Sequence, residues 1–420
     1  AMKKIAIIGS GISGLYATYL LHKDYEITLF EKENYLGGHT RTLNIEYEKN
    51  TRISVDTGFI VFNKENYPNF TKMLNTLNVD IDKSDMSFAV TNNNPKDPEI
   101  KYSDVSSYFS NRRNLFGYKY YNLLYNINRF NTLSLKSLNS IKNNLENITL
   151  NQFLENNSFN KFFIDNYIVP MGSSIWSCKP SQILDFPYLS YVNFMNNHGL
   201  LSLSNQPQWY FIKNGSQSYV NKLKGHLNAD FKLNTEVKEV INNENNGIRI
   251  NCLNDTYDYD YVIYANHPNE ALDIGKNLAD KQIEALAGIK YSRNEVVLHK
   301  DTSVMPKNRK CWASWVYKNT NNSGPIMSYW MNSLQNIDER HPIFVSLNPG
   351  DHIDNDMVFN KHILEHPIFD ISARNSQMKI PQIQGINNSF FCGAYNKYGF
   401  HEDGVVSSIN VVKKLKEIDI

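Results

Sequence analysis

The 420-residue sequence has no surplus of charge, no long apolar run and only four cysteines. Lys and Arg total 43 against 42 Asp and Glu, a formal net charge of +1, so no bulk attraction to nucleic acid is expected. No stretch of 18 apolar residues occurs, which excludes a spanning helix. Cys178, Cys252, Cys311 and Cys392 lie far apart and none forms a CxxC pair. That excludes paired-thiolate zinc sites and dithiol redox chemistry, and no metal is expected. The thiols read as reduced, as in a cytoplasmic protein. The opening AMKKIAIIGSGISGLYATYLL has the composition of an export signal, but no small-residue cleavage site follows and its glycines have another use. No internal repeat is present. The length is too great for one simple core, so two domains are expected.

What is present begins with KKIAII (3–8), a short apolar run, followed at once by Gly9-Ser10-Gly11-Ile12-Ser13-Gly14. LYATYLLHK then has helical spacing, and EITLF (26–30) reads as a second strand ending at Glu31. This order is strand, glycine turn, helix, strand, acid. In such a turn Gly9 permits the bend, Gly11 lets backbone approach a pyrophosphate, and Gly14 lets the helix pack on the strand. The helix N-terminus at Ile12 and Ser13 faces the phosphates, and Glu31 is placed to accept from a ribose diol. The expectation is a dinucleotide-binding domain.

The continuation EKENYLGGHTRT (31–42) places Gly37-Gly38 shortly after the acid and Lys32. It resembles the signature of the flavin-dependent amine oxidases and their relatives, with His39 and Thr40 following where that family usually has arginine and threonine. VDTGFIVF (55–62) resembles the family's segment beside the flavin and adds Thr57 and Gly58. LNTEVKEVI (233–241) and YDYDYVIYANHP (257–268) resemble the returning half of the cofactor domain, with backbone near Val237 holding adenine. NNSFFCGAYNKYGFHEDGVVSSINVVKKL resembles the closing motif: a strand, Gly393, a loop and a helix whose N-terminus points at the flavin. The resemblance implies non-covalent FAD and an α/β fold. That fold is a Rossmann-like FAD-binding domain with an inserted α+β substrate domain, an amine oxidase-like two-domain architecture. The expected segments are 1–80, 210–272 and 387–420 for cofactor binding. Residues 81–209 (largely helical) and 273–386 (antiparallel sheet) are expected to form the substrate domain.

GFHEDG (399–404) packs a histidine and two acids into one turn. The resemblance places it between substrate and flavin, with Asp403 at the helix N-cap and Gly404 and Val405 beneath the ring. His401 falls on the family's cage tyrosine, and the family's reactive lysine falls near NEVVLHK (294–300), on Asn294 or Glu295, with Lys290 and Lys300 nearby. His401 and Glu402 are therefore candidates for proton transfer, a histidine of near-neutral pKa suiting a general base; packing alone is the alternative for His401.

Residues 105–145 contain no acid but carry Arg112, Arg113, Lys119, Arg129, Lys136 and Lys142 among aromatics. Such a stretch either lies on an anionic membrane or forms a helix with a solvated basic face. Segment 175–220 is mostly apolar and aromatic. Its NHGLL, PQW and NGSQSYV, with the GFHEDG turn, resemble a bacterial NAD/FAD-binding subgroup associated with cyclopropane-fatty-acyl synthase-type methyltransferases. That implies a lipid or fatty acyl substrate, with His198, Trp209 and Tyr398 as candidate contacts. The expected function is FAD-dependent dehydrogenation (desaturation) of an apolar acyl chain by a cytoplasmic enzyme peripheral to the inner membrane face. A redox-neutral double-bond isomerase, an amine oxidase and a non-catalytic flavoprotein partner of a methyltransferase stand as alternatives.

Overall fold

The computed structural model describes residues 1–94, 96, 99–103, 105–140, 144–202, 206–243, 247–320 and 324–420. Five parallel strands form the first sheet, in the order Asp230–Lys232, Glu26–Phe30, Lys4–Ile8, Tyr261–Tyr264, Ser389–Phe391. Tyr261–Tyr264 is buried throughout, as a continuous apolar run flanked by neighbours on both sides should be. One face of this sheet is covered by the helices Ile12–Leu21, Pro68–Thr76, Gln217–His226 and His401–Ile418. The other face carries a three-stranded antiparallel sheet (Glu239–Asn243, Gly247–Asn251, Thr256–Tyr259) and the helices Asp280–Ala287 and Ile371–Ile383.

The second body is a seven-stranded mixed sheet backed by helices. Its order is Val358–Ile368, Lys290–His299, Phe344–Leu347, Ile326–Trp330, Trp315–Asn319, Phe88–Asn92, Ile100–Lys101. The runs VVLHKD, CWASWVYK and IMSYWMN thus do supply strands, and the pairings among 290–368 are antiparallel. Helices Tyr118–Leu138, Leu150–Asn156, Val169–Trp176 and Tyr188–Asn197 close a large aromatic core against this sheet.

Packing and pairing cross the expected segment divisions. Ala285, Leu286, Ile289, Ala373, Ile380 and Ile383 join the core of the parallel sheet with Ala6, Ile8 and Phe30. The ends of segment 273–386 therefore pack with the nucleotide domain, because their helices bury apolar stripes on the parallel sheet. Ile81–Ser84 pairs with Trp209–Ile212, which also pairs with Val61–Asn63, so a small sheet bridges the 80/81 and 209/210 divisions. Stretch 105–145 is not one helix: Arg112–Phe116 is a tight turn preceding Tyr118–Leu138, and Lys142 lies outside the described residues. No helix of the described residues is long and apolar enough to cross a membrane.

Candidate functional site

The glycine turn is built by steric exclusion. Gly9 sits at φ +105°, and a Cβ there would lie 2.8 Å from the Ala265 carbonyl oxygen. At Gly14 it would lie 2.0 Å from the Gly9 oxygen, so the helix can rest on the strand end only without a side chain. Gly11 meets nothing within 4 Å, which leaves open space over the helix N-terminus. There the Ile12, Ser13 and Gly14 amides precede the first helical bond, Leu15 N–H to Gly11 O, and have no partner within the helix. Gly37 (φ +128°) donates its N–H to Ser10 O, and a Cβ on Gly38 would lie 2.9 Å from Gly11 Cα. The second glycine pair is therefore pressed against the first turn.

Around this cradle the other expected cofactor residues assemble. Glu31 ends the second strand; its carboxylate accepts from Ser10 N–H and Oγ–H and from Glu33 N–H. Oε2, which takes only the Glu33 N–H, keeps a further lone pair. Lys32 turns outward to Glu270 at 3.2 Å. Glu270 and Glu365 each lie 3.4 Å from His267, forming an ion cluster at the rim that Lys32 already supplies with a cation. Val237 is buried, and among the described residues no hydrogen bond engages its main chain. Asn266, next to the Gly9 turn, holds a buried oxygen with no partner. A second helix N-terminus, that of His401–Ile418, abuts the first: a Cβ on Gly404 would lie 3.0 Å from Ile12 Cγ2, and Ser408 Oγ donates to Ser13 O at 2.6 Å. Val405 is fully buried behind it, and Gly393 N–H donates to Ser407 Oγ. An open glycine edge, two adjoining helix N-termini and unpaired polar groups at Val237 and Asn266 fit a dinucleotide. Cys392 is buried behind the cradle, and burial pushes its thiol up to about 12.

The 399–404 turn departs from its expected use. The helix begins at His401, so Asp403 stands at its third position and not at the N-cap. Its carboxylate reaches back to Phe400 N–H (3.1 Å) and Tyr398 N–H (3.2 Å), closing the turn, and burial raises it to about 6. Glu402 points away from the turn. It accepts from Asn69 N–H (2.9 Å), Asn69 Nδ2–H (2.8 Å) and Phe70 N–H (2.9 Å), capping helix Pro68–Thr76. A carboxylate so engaged is anchoring a helix, which leaves proton transfer at this turn to other groups. His401 is buried and stacked on Phe59 with centroids 3.7 Å apart. Its Nε2 lies 2.8 Å from the Tyr219 hydroxyl and 3.1 Å from Thr40 Oγ1. Burial, reinforced by His39, pushes it down to about 3, which removes the near-neutral base expected there. Thr40 spends its hydroxyl on the same network.

Beside this turn opens a cavity of about 720 Å³. It runs from His39, Thr57, Gly58 and His401 past Phe194, Trp209 and Tyr329 to Leu124, Asn128, Thr132 and Leu135 of the long helix. All three expected substrate contacts line it: His198, Trp209 and Tyr398. Gly58 brings the backbone in closely, since a Cβ there would lie 1.9 Å from His39 O. Among the described residues, no aspartate, glutamate, lysine or arginine lines this cavity. Its histidines are neutral: burial pushes His39 and His198 down to about 4 and His366 to about 3. His39 and His366 keep part of their surface open only because they face the cavity.

Phe400 and His366 are among the lining residues that sequence reasoning missed. Phe400 stacks on Phe194 (4.9 Å, 19°) and is the turn's aromatic that faces the cavity. His366 lies 5.4 Å from His39 and accepts from Asn294 Nδ2–H at 2.8 Å. The Asn294 position therefore supports a histidine rather than presenting a lysine. Lys290 pairs with Asp370 and Lys300 lies over Tyr47, both away from the cavity. Alternation in the strand Val358–Ile368 could have put His366 on a face, but nothing local says which face is buried.

Comparison with known proteins is consistent with this construction. Residues 7–77 match the family model of the NAD(P)-binding Rossmann-like domain. Among curated proteins none matches the chain in sequence. Among solved structures, cyclohexylamine oxidase from Brevibacterium oxydans superposes with a TM-score of 0.72 at 13% identity, over 100% of both chains. A CLA-producing fatty acid isomerase from P. acnes gives 0.68 at 14%, over 98% of both. Reduced UDP-galactopyranose mutase gives 0.68 at 15%, over 99% of this chain and 96% of that one. From end to end, then, the chain has the fold of the amine oxidase-like structures, a Rossmann-like dinucleotide domain carrying a substrate domain.

Proposed function

We propose that the chain is an FAD-dependent oxidoreductase that dehydrogenates an unsaturated acyl chain of a lipid. The observation that supports this is the aromatic cavity, uncharged among the described residues, that reaches the start of the helix His401–Ile418. A cationic amine would be desolvated there with no carboxylate among the described lining residues to meet it, whereas an acyl chain buries only apolar surface. FAD in the cradle would supply a hydride acceptor, and the unpaired amides of the helix His401–Ile418 favour negative charge on the reduced ring.

The chain's own residues do the rest. Loss of hydride from a carbon next to a double bond leaves an allylic cation, which the faces of Phe400, Phe194 and Trp209 stabilise. Loss of a proton from the adjacent carbon then gives the new double bond. His198 is the candidate acceptor: Nδ1–H donates to Phe194 O at 2.9 Å, so Nε2 presents a lone pair, and although burial lowers its pKa to about 4, a C–H beside an allylic cation is acidic enough for so weak a base. His401 acts through its hydrogen bonds to Tyr219 and Thr40, holding the turn. The supposed association with a methyltransferase rests on the sequence resemblance alone.

A redox-neutral double-bond isomerase is the second reading. The same uncharged cavity serves it, and one structure sharing the fold is named a fatty acid isomerase. The test is anaerobic addition of bacterial phospholipid extract while the flavin band near ~450 nm is followed. Bleaching by lipid and not by amines is expected. Moved double bonds without bleaching would establish the isomerase, and bleaching by amines alone would overturn both readings.

A further inference from the structure

The four exposed large aromatics among the described residues are Phe116, Tyr118, Tyr121 and Tyr125, all within ten residues of chain. Phe116 is 91% exposed, Tyr118 81% and Tyr125 63%. Leu115 and Leu135 are exposed beside them. On the helix Tyr118–Leu138, the residues Tyr118, Tyr121, Tyr125, Asn128, Thr132 and Leu135 follow at intervals of three and four, so they share one face. The opposite face, with Tyr120, Leu123, Ile127 and Phe130, is buried in the core. The outward stripe changes character along its length. Its first half is an exposed aromatic apron. Its second half, Asn128, Thr132 and Leu135, is exposed and also lines the cavity, and so forms part of its mouth, with Gln206 across from it.

Charge is distributed to match. Between Val105 and Leu145 there is no acid, while Arg112, Arg113, Lys119 and Lys136 are exposed around the apron. Arg129 is spent internally, on Asn157 O at 2.8 Å and over the Phe159 ring at 3.8 Å. The chain as a whole is near neutral, so this basic rim is local. Tyrosines with a wet hydroxyl and an apolar ring, framed by basic residues, suit the headgroup layer of an anionic bilayer.

We propose that the face from Leu115 to Leu135 docks on an anionic phospholipid bilayer and that an acyl chain enters the cavity directly from it, between Asn128, Thr132, Leu135 and Gln206. This rests on the lipid reading of the cavity, but docking and cavity occupancy are separable. The basic rim argues for an anionic bilayer over a second copy of the chain, and a protein lid would cover the exposed lining residues Asn128, Thr132 and Leu135.

The experiment is vesicle co-sedimentation of the flavin-loaded full chain. Phosphatidylcholine vesicles with and without phosphatidylglycerol are compared at low and high salt. Alongside it, binding of a monomeric dansyl fatty acid is read by fluorescence. Wild type is expected to bind only the anionic vesicles, and to release in high salt. F116S/Y118S/Y125S is expected to lose at least about tenfold in vesicle affinity. R112Q/R113Q is expected to lose roughly 25-fold, at about fivefold per basic residue. Both variants should keep the dansyl affinity, since none of these residues lines the cavity. Wild type that ignores anionic vesicles, or variants that bind them unchanged, would overturn the proposal even if the dansyl probe binds. Vesicle binding without dansyl binding would uphold the docking face and remove the lipid reading of the cavity. A concentration-dependent dimer abolished by F116S/Y118S/Y125S, with no vesicle binding, would assign the face to a second copy instead.

Discussion

Glu402→Gln separates an anchoring carboxylate from a catalytic one. In the wild type one carboxylate takes three donors at 2.8–2.9 Å from Asn69 and Phe70, at the start of helix Pro68–Thr76. Hydrogen bonds to charged acceptors are worth about 1.5–3 kcal/mol each. Glutamine keeps one oxygen, which in the place of Oε1 retains both Asn69 donors and leaves Phe70 N–H as the third. That N–H faces an NH₂ group and is left unsatisfied in a buried place, at about 1–3 kcal/mol. Burial raises the pKa of Glu402, so removing the charge returns part of that loss. A net loss of roughly 2–3 kcal/mol, local to this helix, is the expected balance. The described residues form several separate cores, so a single global transition is a poor reporter. Hydrogen exchange is the better assay: protection across 69–76 should fall roughly 30- to 150-fold, at 1.36 kcal/mol per tenfold, with the seven-stranded sheet unaffected. Unchanged protection, together with a fall of about 10²–10⁴ in turnover, would refute the capping argument and restore Glu402 as an acid–base group.

Gly14→Ala drives a Cβ to within 2.0 Å of the Gly9 carbonyl oxygen, so purified protein should carry little or no flavin absorbance; a normal flavin content would disprove the packing of the turn. His401→Gln should leave the pH–rate profile without a shifted limb between pH 6 and 7, roughly where an ordinary histidine titrates, because His401 is neutral until about pH 3. A limb that vanishes in the variant would show His401 to be the base after all. Acid should unfold the chain. His198, His299 and His401 are buried with pKa values lowered to about 4, 4 and 3, so the unfolded state takes up protons first and stability falls as pH drops below about 6.5. By pH 5 each has lost roughly 2 kcal/mol, against about 1 kcal/mol gained from each of Asp56 and Asp403, which burial raises to about 6 and which therefore hold their protons in the fold. Denaturation at pH 7 and pH 5 should show this net loss, and His299→Gln should reduce it by about half; equal stability at the two values would contradict the burial of these rings.

The nucleotide half was legible because its rules are local. A glycine whose Cβ would strike backbone, as at Gly9 and Gly14, leaves no other residue possible, so the motif survives in the chain as letters. The buried strand Tyr261–Tyr264 and the closing helix were readable for the same reason: composition and period fix them without knowledge of partners. Domain boundaries were not. Helices Asp280–Ala287 and Ile371–Ile383 have ordinary amphipathic patterns, and which sheet they cover is decided by chain return over a hundred residues.

The turn 399–404 shows the other limit. Its sequence, a histidine and two acids between glycines, announces chemistry, yet two of the three ionisable groups are spent on helix ends and the third is held neutral among aromatics. Charge in a motif says only that a strong acceptor was needed, and backbone amides at helix starts need one as much as a substrate does. What supports the proposed apolar substrate is an absence: among the described residues, no charged side chain lines the cavity from the separate segments that form it. An absence spread over residues 39 to 401 leaves no mark in any one of those segments. It becomes visible only when the fold brings them together, and it then directs attention from the acids of the turn to Phe400, His366 and His198, the lining side chains beside them.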